Sequence, residues 1–194
     1  MGRRGPVLLS GSVLVGSLLA GCGTGGTDPG GALDVSLDGF VQAAERPTPA
    51  TLCDPDPAEP ATPPPGLPAS LGSLGSPDAA FLESASTTVE AYRWSTEDAD
   101  AAQAVVEEAT AAVSACTWTV EPPGSEDQQV AQWSAGDWAG IRIVRTVPGS
   151  EQVDRRLVTT GELVLLVVTR VDGDDPALLA PADDYLTAVA ERLG

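Results

Sequence analysis

Residues 163–168, LVLLVV, form an apolar run without a single polar interruption. A half-buried strand alternates apolar and polar side chains, whereas a strand apolar at every position needs cover on both faces. The run therefore predicts a central strand, residues 162–171, with packing layers above and below the sheet. Further strands are expected at residues 87–94 (TTVEAYRW), 116–121 (CTWTVE), 129–134, 138–147 (WAGIRIVRTV) and 154–160, rich in β-branched and aromatic residues. Between the first two, Val105, Val106, Ala109, Ala112, Val113 and Cys116 recur at helical spacing. That predicts a helix capped by Ser95 or Thr96 and running to about Ala115. Pro181 opens a last helix, with Asp183 and Asp184 in its first turn and Tyr185, Leu186, Val189 and Leu193 on one face. The order β-α-β-β-β-β-β-α reads as an α+β fold: a mainly antiparallel sheet of about five to six strands with two packed helices.

The start of the chain carries a different signal. Arg3 and Arg4 precede an apolar stretch, PVLLSGSVLVGSLLA, that is short and broken by Gly and Ser. It is a poor membrane span and a good secretory h-region. It ends in Leu19-Ala20-Gly21-Cys22, which resembles the lipobox of bacterial lipoproteins. That resemblance implies cleavage after residue 21 and a diacylglyceryl group on Cys22. Two or more acyl chains hold a protein stably to a membrane. The expected location is the extracytoplasmic face of the cell membrane. The Arg pair alone leaves Sec and twin-arginine export both open.

Residues 22–32 read as a flexible tether and residues 33–77 as a Pro/Gly-rich segment. The latter includes a possible short helix near residues 37–45. Ten of the 17 prolines fall between positions 47 and 77, and proline has no N–H for a ladder or a helix. With Cys22 lipidated, Cys53 and Cys116 are the two thiols left. In an oxidising compartment they are expected to pair, tying the Pro-rich segment to the end of the first long helix. The compact domain is expected over residues 78–194.

Composition narrows the function. The chain has 28 acidic residues, 10 arginines, no lysine and no histidine, for a net charge of −18. So acidic a chain is ill-suited to nucleic acid, since it offers no field to attract phosphates. Without histidine there is no Ser-His or Cys-His dyad and no imidazole metal site. Asp172-Gly173-Asp174-Asp175 fails as a calcium loop, because Ala177 stands where an EF-hand needs glycine. No spacing pairs two carboxylates for catalysis. The expectation is a chain with no catalytic residues, no metal and no cofactor.

Five arginines crowd residues 142–170: Arg142, Arg145, Arg155, Arg156 and Arg170. A sheet face bearing guanidinium forks can hold a carboxylate or phosphate. The plainer reading pairs them with Asp and Glu of the covering helices or stands them at sheet edges. Strand alternation points Arg142 away from Arg145, and Arg155 away from Arg156. One set sharing a face is Arg142 with Arg156, next to Trp138, and these three are the candidate ligand-binding residues. The partner is then an anionic envelope ligand, or a protein. Trp94, Trp118, Trp133 and Trp138 read mostly as core, with one or two available to line a glycan groove.

A further pattern spans about residues 81–194. Tyr92-Arg93-Trp94-Ser95 leads into an Ala-rich helix that ends in Cys116. Gly136-Asp137 opens a strand, and Arg156-Leu157-Val158 precedes Gly161, the apolar run and the C-terminal amphipathic helix. This resembles the PknH-like extracellular sensor domain of actinobacterial lipoproteins and of a kinase ectodomain. The resemblance implies an antiparallel sheet with helices, a cleft for an unidentified ligand, and no catalysis. Two function classes stay open: a surface-tethered ligand-binding or sensor-like module, and a structural or protein-interaction component of the envelope.

Overall fold

The computed structural model describes residues 29–44, 51–59, 65–119, 126–173 and 175–193. The signal-peptide region, Cys22 and most of the tether lie outside the described residues. A 3₁₀ turn at Pro29–Leu33 comes first. Strand β1 is Val41–Gln42, helix α1 Ala69–Ser73, β2 Asp78–Glu83, β3 Thr87–Ser95 and α2 Ala99–Ala112. There follow β4 Trp118–Thr119, β5 Asp127–Ala135, β6 Trp138–Val147, β7 Glu151–Thr160, β8 Leu163–Asp172 and α3 Pro181–Leu193. Every strand pair is antiparallel, in the order β1-β2-β3-β8-β7-β6-β5-β4.

Among the described residues the sheet thus has eight strands and the chain three α-helices. This corrects the expectation of five to six strands with two helices. The additions have a common cause. β2, DAAFLE, carries two alanines and acidic ends, so its sequence has little strand character. It forms because the open edge of β3 supplies a ladder, and Phe81 and Leu82 then bury on opposite faces. Two-residue β1 adds to β2 in the same way. Residues 37–44 hold a turn at Asp38-Gly39 and then β1. The helix of this part of the chain is α1 instead. Glu108 of α2 stabilises its first turn, accepting from the Ala69 amide at 2.8 Å and from the Ser70 hydroxyl.

The apolar run lies in the middle of the sheet. Val164, Leu166 and Val168 point into one apolar cluster; Leu165 and Val167 point into the other. The first cluster is covered by α2, whose Ala102, Val105 and Ala109 are buried, and by Leu52, Cys53 and Leu71 of the Pro-rich segment. The second is covered by α3 through Tyr185, Leu186 and Val189, and by Leu33 and Val35. Helix α2 is capped by Asp98, which accepts from the Ala101 amide at 2.8 Å. Ser95 instead ends β3, and Thr96 donates to the Glu162 carbonyl at 2.8 Å, tying the helix approach to the β7–β8 hairpin. The helix stops at Ala112 and continues as a 3₁₀ turn to Ala115.

Cys53 and Cys116 form the expected disulfide, 63 residues apart in sequence. In the chain-entropy description, closing such a loop stabilises by up to about 4 kcal/mol. It locks the Pro-rich segment against the α2 face. Two tight hairpins complete the sheet, with Gly136 at φ 56° and Gly161 at φ 53°, the left-handed conformation that two-residue turns require.

Candidate functional site

Arg142 of β6 and Arg156 of β7 stand directly opposite each other in the ladder, on the face covered by α3. Two like charges so placed repel. The sequence answers with Asp154, two residues before Arg156 and therefore on the same face. Asp154 is 0% exposed. It accepts from Arg142 Nε at 3.0 and 3.1 Å, and from Arg156 Nε at 3.1 Å and Nη2 at 2.9 Å. Asp183, in the first turn of α3, also bonds Arg156, with a second contact at 3.3 Å. Burial opposes the charge on Arg156, but the Asp183 and Asp154 carboxylates outweigh it and lift its pKa above the ordinary arginine value. The Arg156 guanidinium also lies 4.8 Å from the centre of the Trp133 ring, a cation–π contact. Two guanidinium groups thus meet two carboxylates, and the assembly is neutral.

Arg145 and Arg155 point to the other face, as strand alternation requires. Arg155 makes a two-pronged bond to Asp54, at 2.9 and 3.0 Å. Arg145 bonds Glu126 at 2.8 Å and Glu151 at 3.0 Å. Asp54 follows disulfide-bonded Cys53, so these arginines fasten the Pro-rich segment to the sheet. Arg170 faces Glu90 at 3.6 Å. All five arginines of residues 142–170 therefore face carboxylates of the chain itself.

Trp138 sits at the start of β6, close to this network. A cleft of about 260 Å³ opens between the β5–β6 hairpin and α3, walled by Trp133, Trp138, Asp137, Asp183 and Thr187. The Trp138 indole is 4% exposed, and its Nε1–H has no hydrogen-bond partner among the described residues. The structure thus brings Arg142, Arg156 and Trp138 to one face. Trp138 lines the cleft, and the two arginines bond the carboxylates beside it. Sequence reasoning missed Asp154 and Asp183 as the partners of these arginines. The signal was present in the alternation of Asp154-Arg155-Arg156, which puts a carboxylate and a guanidinium on the same side.

No protein-family model matches the chain, and no curated protein does. Among solved structures, the crystal structure of the extracellular domain of PknH from Mycobacterium tuberculosis is similar. It is 12% identical, covers 85% of this chain and 91% of its own, and has a TM-score of 0.47. A likeness so distant carries neither an activity nor a ligand across to this chain.

Proposed function

We propose that the chain is a lipid-anchored, extracytoplasmic, non-catalytic binding module. Its site is the cleft between the β5–β6 hairpin and α3, and its ligand is a hydroxyl-rich group such as the end of an envelope glycan. The observation that carries this reading is the buried Trp138 Nε1–H, unanswered beside a cleft walled by a second indole. An unpartnered buried donor costs about 1–3 kcal/mol, which a ligand oxygen recovers. A sugar ring also presents an apolar face to an indole. The exposed Asp183 and Thr187 stand at the rim to meet its hydroxyls. Arg156 acts here as a positioning residue that holds Asp183 and Trp133, while Arg142 holds Asp154 beneath it. An anionic ligand on these two arginines fits less well, because it competes with carboxylates already bonded to them.

Anchoring is supported by the Leu19-Ala20-Gly21-Cys22 lipobox, and the Cys53–Cys116 disulfide suits an oxidising compartment. The alternative, an envelope component with no small ligand, draws its support from the pairing of all five arginines and the cover on both sheet faces.

The test is titration of the full chain with glucose, galactose, mannose and N-acetylglucosamine, read by indole fluorescence. At least one sugar is expected to give a saturable change that Ala190→Phe, which puts a ring into the cleft from its α3 wall, abolishes. If no sugar gives saturation, or if the variant responds as the parent does, this site is wrong. Independently, Cys22→Ala should release the protein from membranes, and retention of that variant after a salt wash contradicts anchoring.

A further inference from the structure

We infer that a second site, on the opposite flank of α3, binds a phosphate-bearing small molecule through Arg93 and Arg192. A cavity of about 670 Å³ lies at the end of the sheet between β3, the β7–β8 hairpin, the last turn of α3 and the Pro29–Leu33 turn. It shares no lining residue with the Trp133–Trp138 cleft. Its size is in the range of small-molecule sites, roughly 300–1,000 Å³.

Arg93 makes this cavity more than a gap. It is 4% exposed and points to the α3 face, yet its Nε–H has no partner among the described residues. Among the described residues its ion pair is with Asp78 of neighbouring β2, a carboxylate about half exposed to water. A buried guanidinium with one donor unanswered gains from an acceptor that the fold does not supply. Arg192 brings a second guanidinium from the end of α3, where it donates to the Asp34 backbone carbonyl. Ser95 and Thr160 add hydroxyls at the wall, and Glu162 is the one carboxylate there. Tyr185, fully buried and not itself part of the lining, donates its hydroxyl to the Leu33 carbonyl at 3.0 Å. Burial raises the pKa of that phenol, against the pull of the Arg93 charge, and so preserves this bond.

The donors select the ligand class. The lining carries two guanidinium groups and one carboxylate, and Asp78 pairs with Arg93 from beside the cavity, so the site is locally near neutral in a chain of −18. The surface field repels anions in general, so an anion bound at saturation is held by local contacts. Two forks and two hydroxyls match a phosphate oxygen set, and the volume leaves room for the group that the phosphate esterifies.

The phosphate can arrive on a soluble ester or on a lipid headgroup. Calorimetric titration of the full chain in uncharged detergent, with glycerol 3-phosphate in one arm and monomeric dihexanoyl phosphatidylglycerol in the other, distinguishes the two. Saturable binding in either arm supports the site and names the source. Arg192→Gln should weaken it at least about tenfold, the scale of one charged hydrogen bond. Ser95→Trp, from an exposed position at the cavity wall, should abolish it. Both variants should melt close to the parent. Saturation in neither arm overturns the inference, as does unchanged affinity in both variants. Because neither variant touches the Trp cleft, loss of phosphate binding with sugar binding intact separates this site from the one proposed above.

Discussion

Replacing Asp154 by Asn tests whether the Arg142–Asp154–Arg156 network is structural. The asparagine keeps the size of the side chain and removes its charge. One carboxylate oxygen becomes an amide donor, so Arg142 is left with at most one neutral acceptor, and Arg156, 1% exposed, keeps Asp183 at the rim as its one charged partner. Breaking a buried ion pair by removing one partner destabilises by about 3–5 kcal/mol. Two features pull toward the lower end: Arg142 is about one-third exposed, and Asp183 still answers Arg156. The expected loss is therefore about 3 kcal/mol. For a chain of this length that is a melting midpoint lower by about 6–12 °C. Urea denaturation at pH 7 should show a lower midpoint with the same slope. Asp183→Asn, at a half-exposed position, should lose only about 1 kcal/mol. The double variant Asp154→Leu, Arg156→Met removes both charges from the buried pair and should recover most of the loss. An Asp154→Asn protein within about 0.5 kcal/mol of the parent, or a double variant no more stable than the single, would refute the reasoning. The arginines would then be held for something other than the fold.

Two further outcomes follow from local geometry. At Gly140, an added Cβ meets the Leu157 carbonyl oxygen at 2.1 Å and the Val158 Cα at 2.8 Å, so Gly140→Ala must push β6 and β7 apart. The expected loss is about 1–3 kcal/mol in a denaturant titration, and an unchanged midpoint contradicts the close approach. Burial raises the Tyr185 phenol pKa well above the ordinary tyrosine value. The unfolded chain releases this proton near pH 10 while the folded one keeps it, so the stability from this group is intact below about pH 10 and is lost as pH rises further. Melting curves from pH 8 to 11 should therefore fall more steeply for the parent than for Tyr185→Phe, and parallel curves contradict the burial.

The parts of the fold legible in sequence are those whose residues state their own environment. The run at 163–168 announces cover on both faces and becomes β8, fourth in a sheet of eight strands. The C-terminal helix reads cleanly from Pro181 and its apolar face, and α3 is Pro181–Leu193. β1, β2 and α1 were not legible because their own side chains do not specify them. A ladder on β3 induces the two strands, and a carboxylate from α2 caps the helix. The site divides the same way. Alternation places Arg142 with Arg156 and apart from Arg145, yet nothing local says that α3 delivers Asp183 to Arg156 or that the Pro-rich segment delivers Asp54 to Arg155. Those partners are 27 and 101 residues away in sequence.

The crowding of arginines on β6, β7 and β8 follows from what must cover those strands. Three pieces of this acidic chain outside the arginine-bearing strands bring a carboxylate to them: Asp183 on α3, Asp54 on the Pro-rich segment and Glu126 ahead of β5. Asp54 and Glu126 are largely withdrawn from water, and a carboxylate that loses hydration without a counter-charge is costly, so the strands they meet carry cations. Arginine does this with a fork that engages two oxygens together, as Arg155 does on Asp54. The charge asymmetry is then how the chain fastens its own layers, and it does not by itself mark a ligand site. Ligand sites are better sought where donors remain unanswered. Two such donors, Trp138 Nε1 and Arg93 Nε, belong to residues that line cavities on the two sides of α3. The helix that Asp183 pins to Arg156 therefore forms a wall of both, so loosening that bond should disturb both cavities.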